Sequence, residues 1–258
     1  MHIRLQQVNC LEFSRDKQFL AAASNPSAKV YDVPSLSSST THHDPLYKLE
    51  GHTGNITSIG FQRDNKWVFT GSEDGTLRVW DMRASSQKCQ RTYETPGAVN
   101  SVVLHPNQGE LIAGDNAGIV TVWDLAADKC VNELPPADGG TAISSVSIAQ
   151  DSSIFVSATY AGNCFFWDSR GASDSWTPIR QLQAHKTYIL KCRLSPDAQY
   201  LATCSSDKTC KLWKISNFSL FNTFTGHSRW VWDCRFSADS NYLVTGEFFF
   251  IVCLLTYV

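Results

Sequence analysis

The chain has no long hydrophobic run, no excess of either charge and no Cys-x-x-Cys pair, and each absence removes a class of function. Its apolar end, Phe248 to Val258, is 11 residues long, short of the ~20 that a membrane-spanning helix needs. The opening Met-His-Ile-Arg-Leu-Gln-Gln has no apolar signal-peptide core. The sequons at Asn55 and Asn217 therefore carry no weight, and the expected location is cytoplasmic. Basic residues number 22 and acidic residues 24, a net charge of −2, with no basic stripe to follow a phosphate backbone. Nucleic acid is not an expected partner. The nine cysteines are odd in number, and none lies near a His pair at zinc-ligand spacing. Most sit in apolar strand-like runs (around Cys10, Cys192 and Cys204), where free cysteine behaves as a small buried hydrophobe of a reducing compartment. Neither metal nor cofactor is expected. Helical periodicity is missing as well.

What the chain does have is a repeat. Tyr31-Asp32, Trp80-Asp81, Trp123-Asp124, Trp167-Asp168 and Trp213-Lys214 end five repeats and lie 43 to 49 residues apart. Aromatic-Asp endings at ~40–45-residue spacing are the mark of WD-type propeller blades. Gly51-His52 and Ala184-His185 each open a segment 28 residues before its Trp, and Gly226-His227 opens a sixth. Within a period, short strands alternate with turns. Ile56–Phe61 and Lys66–Ser72 read as strands, and Glu73-Asp74-Gly75 as a hairpin turn leading into Thr76–Trp80. The expected fold is all-β: a WD-repeat β-propeller over residues 1–246.

One spacing recurs to the residue. His52, Thr70, Asp74 and Trp80 are offset by 18, 4 and 6, and so are His185, Thr203, Asp207 and Trp213. In WD-repeat proteins such positions form a relay in which Asp holds His, His meets the hydroxyl and the hydroxyl meets the Trp ring N–H, satisfying buried polar groups. The same residue types could suggest a hydrolase triad, but a nucleophile must reach substrate beside an oxyanion site. A set that occurs twice suits structure better than one active site. No catalytic residue and no small-molecule substrate are expected. Asn25, Ala117 and Ala161 replace the turn Asp elsewhere, leaving those repeats without the full relay.

Two stretches depart from the pattern. Residues 34–45 are Ser/Thr-rich and Pro-bounded, and read as a mobile loop whose His42-His43 pair lacks a convincing ligand set. In the sixth repeat Thr245 stands 18 after His227, but the next offsets give Phe249 and Leu255. Residues 247–258 therefore read as an apolar non-family tail from a truncated or misspliced gene model, with a degenerate last strand pair as the alternative. At ~44 residues per blade, the chain holds about six recognisable blades, and either closes as six irregular blades or is an incomplete ring, a fragment of an expected seven.

The segments Leu104-His-Pro-Asn-Gln-Gly-Glu-Leu-Ile-Ala-Gly-Asp115, Tyr188-Ile-Leu-Lys-Cys192 and Gly226-His-Ser-Arg-Trp-Val-Trp-Asp-Cys234 carry a closer likeness. From about Val8 to Gly246 the chain resembles the small G-protein-β-like WD-repeat subunit of target-of-rapamycin (TOR) kinase complexes. The resemblance implies a non-catalytic scaffold that binds the TOR kinase domain alongside the other subunits of the complex. A WD adaptor of another class, a ubiquitin-ligase substrate receptor or a coat subunit, is the competing reading. In WD propellers the residue three past the opening His faces the channel mouth, here Asn55, Tyr188 and Trp230. Trp230 with Arg229 is the leading interface candidate, because aromatic residues dominate interface energetics. Glu73 and Ser206 are lesser candidates.

Overall fold

The computed structural model describes residues 8–36, 44–83, 88–135 and 139–247, with the backbone of a strand at 252–256. The chain divides into two compact units, Met1–Leu104 and His105–Val258. Both are built from small antiparallel sheets of the kind that form propeller blades.

In the first unit, β1 (Cys10–Phe13), β2 (Phe19–Ala23), β3 (Ala28–Asp32) and β4 (Tyr47–Leu49) form one sheet in chain order. A single helical turn, α1 (Val33–Leu36), follows β3. The loop expected from residue 34 therefore opens with helix, where the Asp32 carboxylate accepts from the Ser35 N–H at 3.1 Å. Residues 37–43, with His42 and His43, lie outside the described residues. The next sheet comprises β5 (Ile56–Phe61), β6 (Trp67–Ser72), β7 (Thr76–Asp81) and β8 (Cys89–Glu94), and β9 (Val99–Leu104) ends the unit.

The second unit opens with β10 (Glu110–Asp115), β11 (Val120–Asp124) and β12 (Lys129–Leu134). Two four-stranded sheets follow: β13 (Ile143–Ile148), β14 (Ile154–Thr159), β15 (Asn163–Asp168) and β16 (Thr177–Gln183), then β17 (Ile189–Leu194), β18 (Tyr200–Ser205), β19 (Cys210–Lys214) and β20 (Ser219–Phe224). The last sheet has β21 (Val231–Phe236), β22 (Tyr242–Glu247) and β23 (Val252–Thr256). β23 runs antiparallel to β22, so the apolar stretch after Glu247 contributes a strand.

Two local rules recur along the chain, the first in six repeats and the second in four. The hairpin joining its first two strands turns through one left-handed residue: Lys17, Asn65, Gln108, Ser152, Ala198 or Ser240, with φ of 56 to 64°. Such a residue closes a short β-loop with the twist that the flanking strands need. A register shift also falls just before Trp80, Trp123, Trp167 and Trp213. A bulge there bends the strand and re-aims the following side chain.

Burial lies mainly between successive sheets. In the first unit Ala21, Ala23, Ala28 and Val30 pack against Ile56 and Ile59. In the second, Ala202, Cys204, Cys210 and Leu212 pack against Val231 and Cys234. Small residues on one sheet thus receive branched or sulfur-bearing side chains from the first strand of the next, each fully buried aliphatic contributing about 1.5–3 kcal/mol. Gly71 shows how tight this is, because a Cβ there would lie 2.5 Å from Val102 and 2.7 Å from Val99. The polar atoms of these strands are also used across sheets. Thr57 donates to the Val99 carbonyl at 2.7 Å, and the Leu194 N–H donates to the Ser147 hydroxyl at 3.0 Å. The eight described cysteines are free thiols, five of them buried.

Candidate functional site

The repeated His–Thr–Asp–Trp spacing becomes the same hydrogen-bonded chain in both units. His52 stands before β5, Thr70 lies on β6, Asp74 is in the β6–β7 turn and Trp80 is the last residue but one of β7. Asp74 accepts from His52 Nδ1 at 2.8 Å, and Thr70 Oγ1 lies 2.7 Å from His52 Nε2. Trp80 Nε1 donates to Thr70 Oγ1 at 2.9 Å. The partners set the tautomer: the Nδ1–H donates to the carboxylate, leaving Nε2 to accept from the hydroxyl. In the second unit the corresponding distances are 2.7 Å for His185–Asp207, 2.9 Å for His185–Thr203 and 3.1 Å for Trp213–Thr203. Thr70 and Thr203 are 0% exposed. Each hydroxyl is committed to two buried partners and has no face from which to attack a substrate, unlike a triad nucleophile.

Burial governs the electrostatics. It lowers the pKa of His52 and of His185 despite the adjoining carboxylates. For Asp74 burial acts upward, but hydrogen bonds from the Thr76 hydroxyl, the Thr53 N–H and His52 outweigh it and bring the carboxyl to about 2. Asp207 is lowered in the same way, with Thr209 and His185 overcoming burial. The folded chain therefore binds fewer protons at these groups than the unfolded chain. Stability should be fully present above the unfolded histidine value of about 6.5 and fall as pH drops below it. A further loss is expected below about pH 4 as the aspartates protonate in the unfolded state. Melting curves from pH 8 to pH 5 are expected to show a plateau and then a decline; a melting temperature that rises toward pH 5 would contradict this account.

The sixth repeat keeps part of the relay. His227 Nε2 and Thr245 Oγ1 are 2.8 Å apart. Phe249, at the offset of the turn Asp, lies outside the described residues, but Leu255 faces Leu243 in the register in which Trp80 faces Val68. Sequence reasoning missed Glu247, whose carboxylate comes to 3.4 Å of His227 Nδ1 and accepts from the Ser228 hydroxyl and the Arg229 N–H. A carboxylate two residues after Thr245, and not four, was the available signal.

The interface candidates fall into two places. Asn55, in the first unit, donates its side-chain amide to Glu73 at 2.8 Å. In the second unit the Tyr188 carbonyl accepts from the Ser206 N–H at 3.0 Å. The Tyr188 ring is 53% exposed and meets Trp230, itself 43% exposed, edge-on at 6.5 Å. Two more rings, absent from the sequence-based set, extend this pair: Tyr160 at 5.8 Å from Tyr188, and Trp232 at 5.7 Å from Trp230. Trp232 occupies the strand position held by Thr57 in β5 and Ser144 in β13, and that substitution pattern could have revealed it. An open groove of about 540 Å³ runs past Lys208, Ser228, Arg229, Trp230 and Trp232. The result is an aromatic ridge with cations beside it. No group of residues able to hold a metal occurs among the described residues.

Comparison with known proteins gives this geometry a family. The model of the WD domain, G-beta repeat, matches residues 2–32, 43–81, 87–124, 128–168, 176–214 and 218–248. Target of rapamycin complex subunit wat1 of Schizosaccharomyces pombe is 47% identical over 216 residues, 83% of this chain and 66% of that protein. Target of rapamycin complex subunit LST8-1 of Arabidopsis thaliana is 48% identical over 225 residues, 86% of this chain and 71% of that protein. A second Arabidopsis thaliana relative, named non-functional target of rapamycin complex subunit LST8-2, is 45% identical over 226 residues, 86% of this chain and 70% of that protein. The chain spans about two thirds of the length of the curated relatives it matches. Six matched repeats, and relatives that share nearly half of its residues, make the chain a member of the WD-repeat family and, within it, of the family of LST8 target of rapamycin complex subunits.

Proposed function

We propose that the chain is a non-catalytic subunit of TOR complexes that docks on the kinase domain through the ridge around Trp230. The observation that carries this reading is the exposure of Tyr188, Trp230 and Trp232 together. Large rings left half in solvent and edge to edge are the type of surface that supplies interface hot spots. Lys208 and Arg229 beside them give the ridge a positive rim for an acidic partner surface. The catalytic alternative has only the two relay sets behind it, and their hydroxyls are buried. The site of action is the cytoplasm. Nucleic acid and small-molecule substrates play no part in this reading. No helix among the described residues is long and apolar enough to cross a membrane.

The Arabidopsis relative named non-functional is nearly as similar as the one without that word, so binding must be measured on the chain itself. Trp230→Ala is expected to weaken capture of a purified TOR kinase domain by about thirtyfold, the equivalent of a 2 kcal/mol hot spot, with an unchanged melting temperature. Titration calorimetry with matched wild type reads both arms. Affinity that Trp230→Ala and Tyr188→Ala leave unaltered would remove the ridge from the interface. Wild type that does not bind the kinase at all would favour an adaptor of another class.

A further inference from the structure

Three thiols meet where the sheet of β17 to β20 packs on β21. Cys204 on β18 and Cys210 on β19 stand directly opposite each other in the antiparallel register. Cys234 on β21 joins the same buried cluster and hydrogen-bonds with both. The three are 0%, 0% and 1% exposed. In the first unit the same places are held by Ala23, Ala28 and Ile59, so filling this space does not call for sulfur.

The opposed pair is placed for a bond. Directly opposed residues of an antiparallel ladder have Cα atoms about 4.5–5.5 Å apart, inside the span of about 4.4–6.8 Å that a disulfide bridges. Hydrogen bonds from the Cys204 and Cys234 thiols lower the pKa of Cys210, whereas burial raises that of Cys204. Cys210 is therefore the sulfur that ionises first, and the thiolate is the attacking form. The turn between the two sulfurs also reaches the aromatic ridge. It carries Ser206, whose N–H donates to the Tyr188 carbonyl at 3.0 Å, and Lys208, which lines the groove beside Trp230.

We propose that Cys204 and Cys210 are a reversible dithiol–disulfide pair that takes a peroxide as oxidant and, once joined, pins the turn beside the ridge. The Cys210 sulfur attacks one oxygen of hydrogen peroxide, the O–O bond breaks, and the leaving hydroxide departs as water with the Cys210 proton. The Cys204 sulfur then attacks the sulfenic acid left on Cys210. The S–S bond forms as the S–O bond breaks, and a second water leaves with the Cys204 proton. Two sulfurs are oxidised and one peroxide is reduced. Both thiols are buried, so peroxide enters through local opening of the hairpin, and an added thiol reverses the bond by exchange. The pair stands independently of kinase binding.

The test treats the reduced full chain with hydrogen peroxide, blocks the remaining thiols with N-ethylmaleimide and maps tryptic peptides by mass spectrometry. Cleavage after Arg193, Lys208 and Lys211 puts the two sulfurs on separate peptides, 194–208 and 209–211. These are expected to appear joined, two hydrogens lighter than their sum, and to separate in dithiothreitol. Hydrogen exchange at the turn from Ser206 to Thr209 is expected to slow in the joined form. Cys204→Ala is expected to lose the joined product, while the partly exposed Cys10, Cys89 and Cys130 oxidise as in wild type. Should that variant fail to fold, the wild-type map decides alone. Peptides that stay separate and alkylated after Cys89 and Cys130 have been oxidised overturn the proposal. So does a bond from Cys210 to Cys234 in place of Cys204, or a joined form whose turn exchanges as fast as the dithiol.

Discussion

Replacing Thr70 by valine is expected to cost the chain about 3 kcal/mol, although the two side chains have nearly the same shape. The methyl that replaces Oγ1 can neither donate to His52 Nε2 nor accept from Trp80 Nε1, which lie at 2.7 and 2.9 Å. His52 and Trp80 are 4% and 1% exposed, so water cannot take over either role without opening the sheet. A buried polar group left unpaired costs about 1–3 kcal/mol, and two are created at once. In a chain of this size the melting temperature should fall by roughly 6–12 °C. Thr203→Val repeats the experiment in the second unit, where the same three residue types meet. Thr245→Val should cost less, because Leu255 in the Trp position offers no ring N–H to strand. Equal losses in all three variants, or a Thr70→Val loss below about 0.5 kcal/mol, would show that the relay is not what holds these sheets.

The second large effect is expected at Gly162, in the β14–β15 turn. Its φ is +88°, and a Cβ there would lie 2.2 Å from the His185 carbonyl oxygen and 2.8 Å from that of Thr187. Both obstacles are backbone, so no side chain can swing aside. The Gly162 carbonyl also accepts from the N–H groups of Ala184 and His185, at 2.9 and 3.1 Å. Alanine must therefore push away the segment that carries the relay histidine. A left-handed conformation alone costs an L-residue about 1–2 kcal/mol; with the forced backbone shift, Gly162→Ala should lose 3 kcal/mol or more. Gly75 supplies the control. Its φ is +79°, but a Cβ there meets nothing nearer than 3.6 Å, so Gly75→Ala should show only the conformational part. Urea titrations of the two variants beside wild type measure the difference, and equal losses would mean that the carbonyl contacts are not limiting.

The features legible in the sequence are those set within one repeat. His52 and Thr70 meet because a strand, a turn and a second strand of fixed length separate them, and the offset of 18 therefore serves again at His185 and at His227. The strands from Ile56 to Asp81 could be read for the same reason, since alternation and turn residues act over a few positions. What the sequence reading missed depends on neighbours distant in sequence, so that the local signals for it carry no meaning until the pairing is known. Trp232 joins the ridge because β21 follows β17 in the packing, which brings Trp230 beside Tyr188. Glu247 reaches His227 only through the pairing of β21 with β22. The helical turn after Asp32 was hidden by a composition that usually marks a loop.

Two buried thiols of the second unit, Cys164 and Cys192, have a consequence in time. Burial pushes the Cys164 thiol up and that of Cys192 to about 11, and the thiolate is the form that electrophiles and peroxides attack. While the sheets are closed these sulfurs are chemically silent, whereas Cys10, Cys89 and Cys130 are partly open to solvent. Covalent damage at Cys164 or Cys192 is then a record of opening: it requires the sheets to part, and each modified sulfur, too large or too polar for its former place, keeps them from closing again. Closed sheets thus act as a clock for these two sulfurs, which stay unmodified for as long as no opening exposes them.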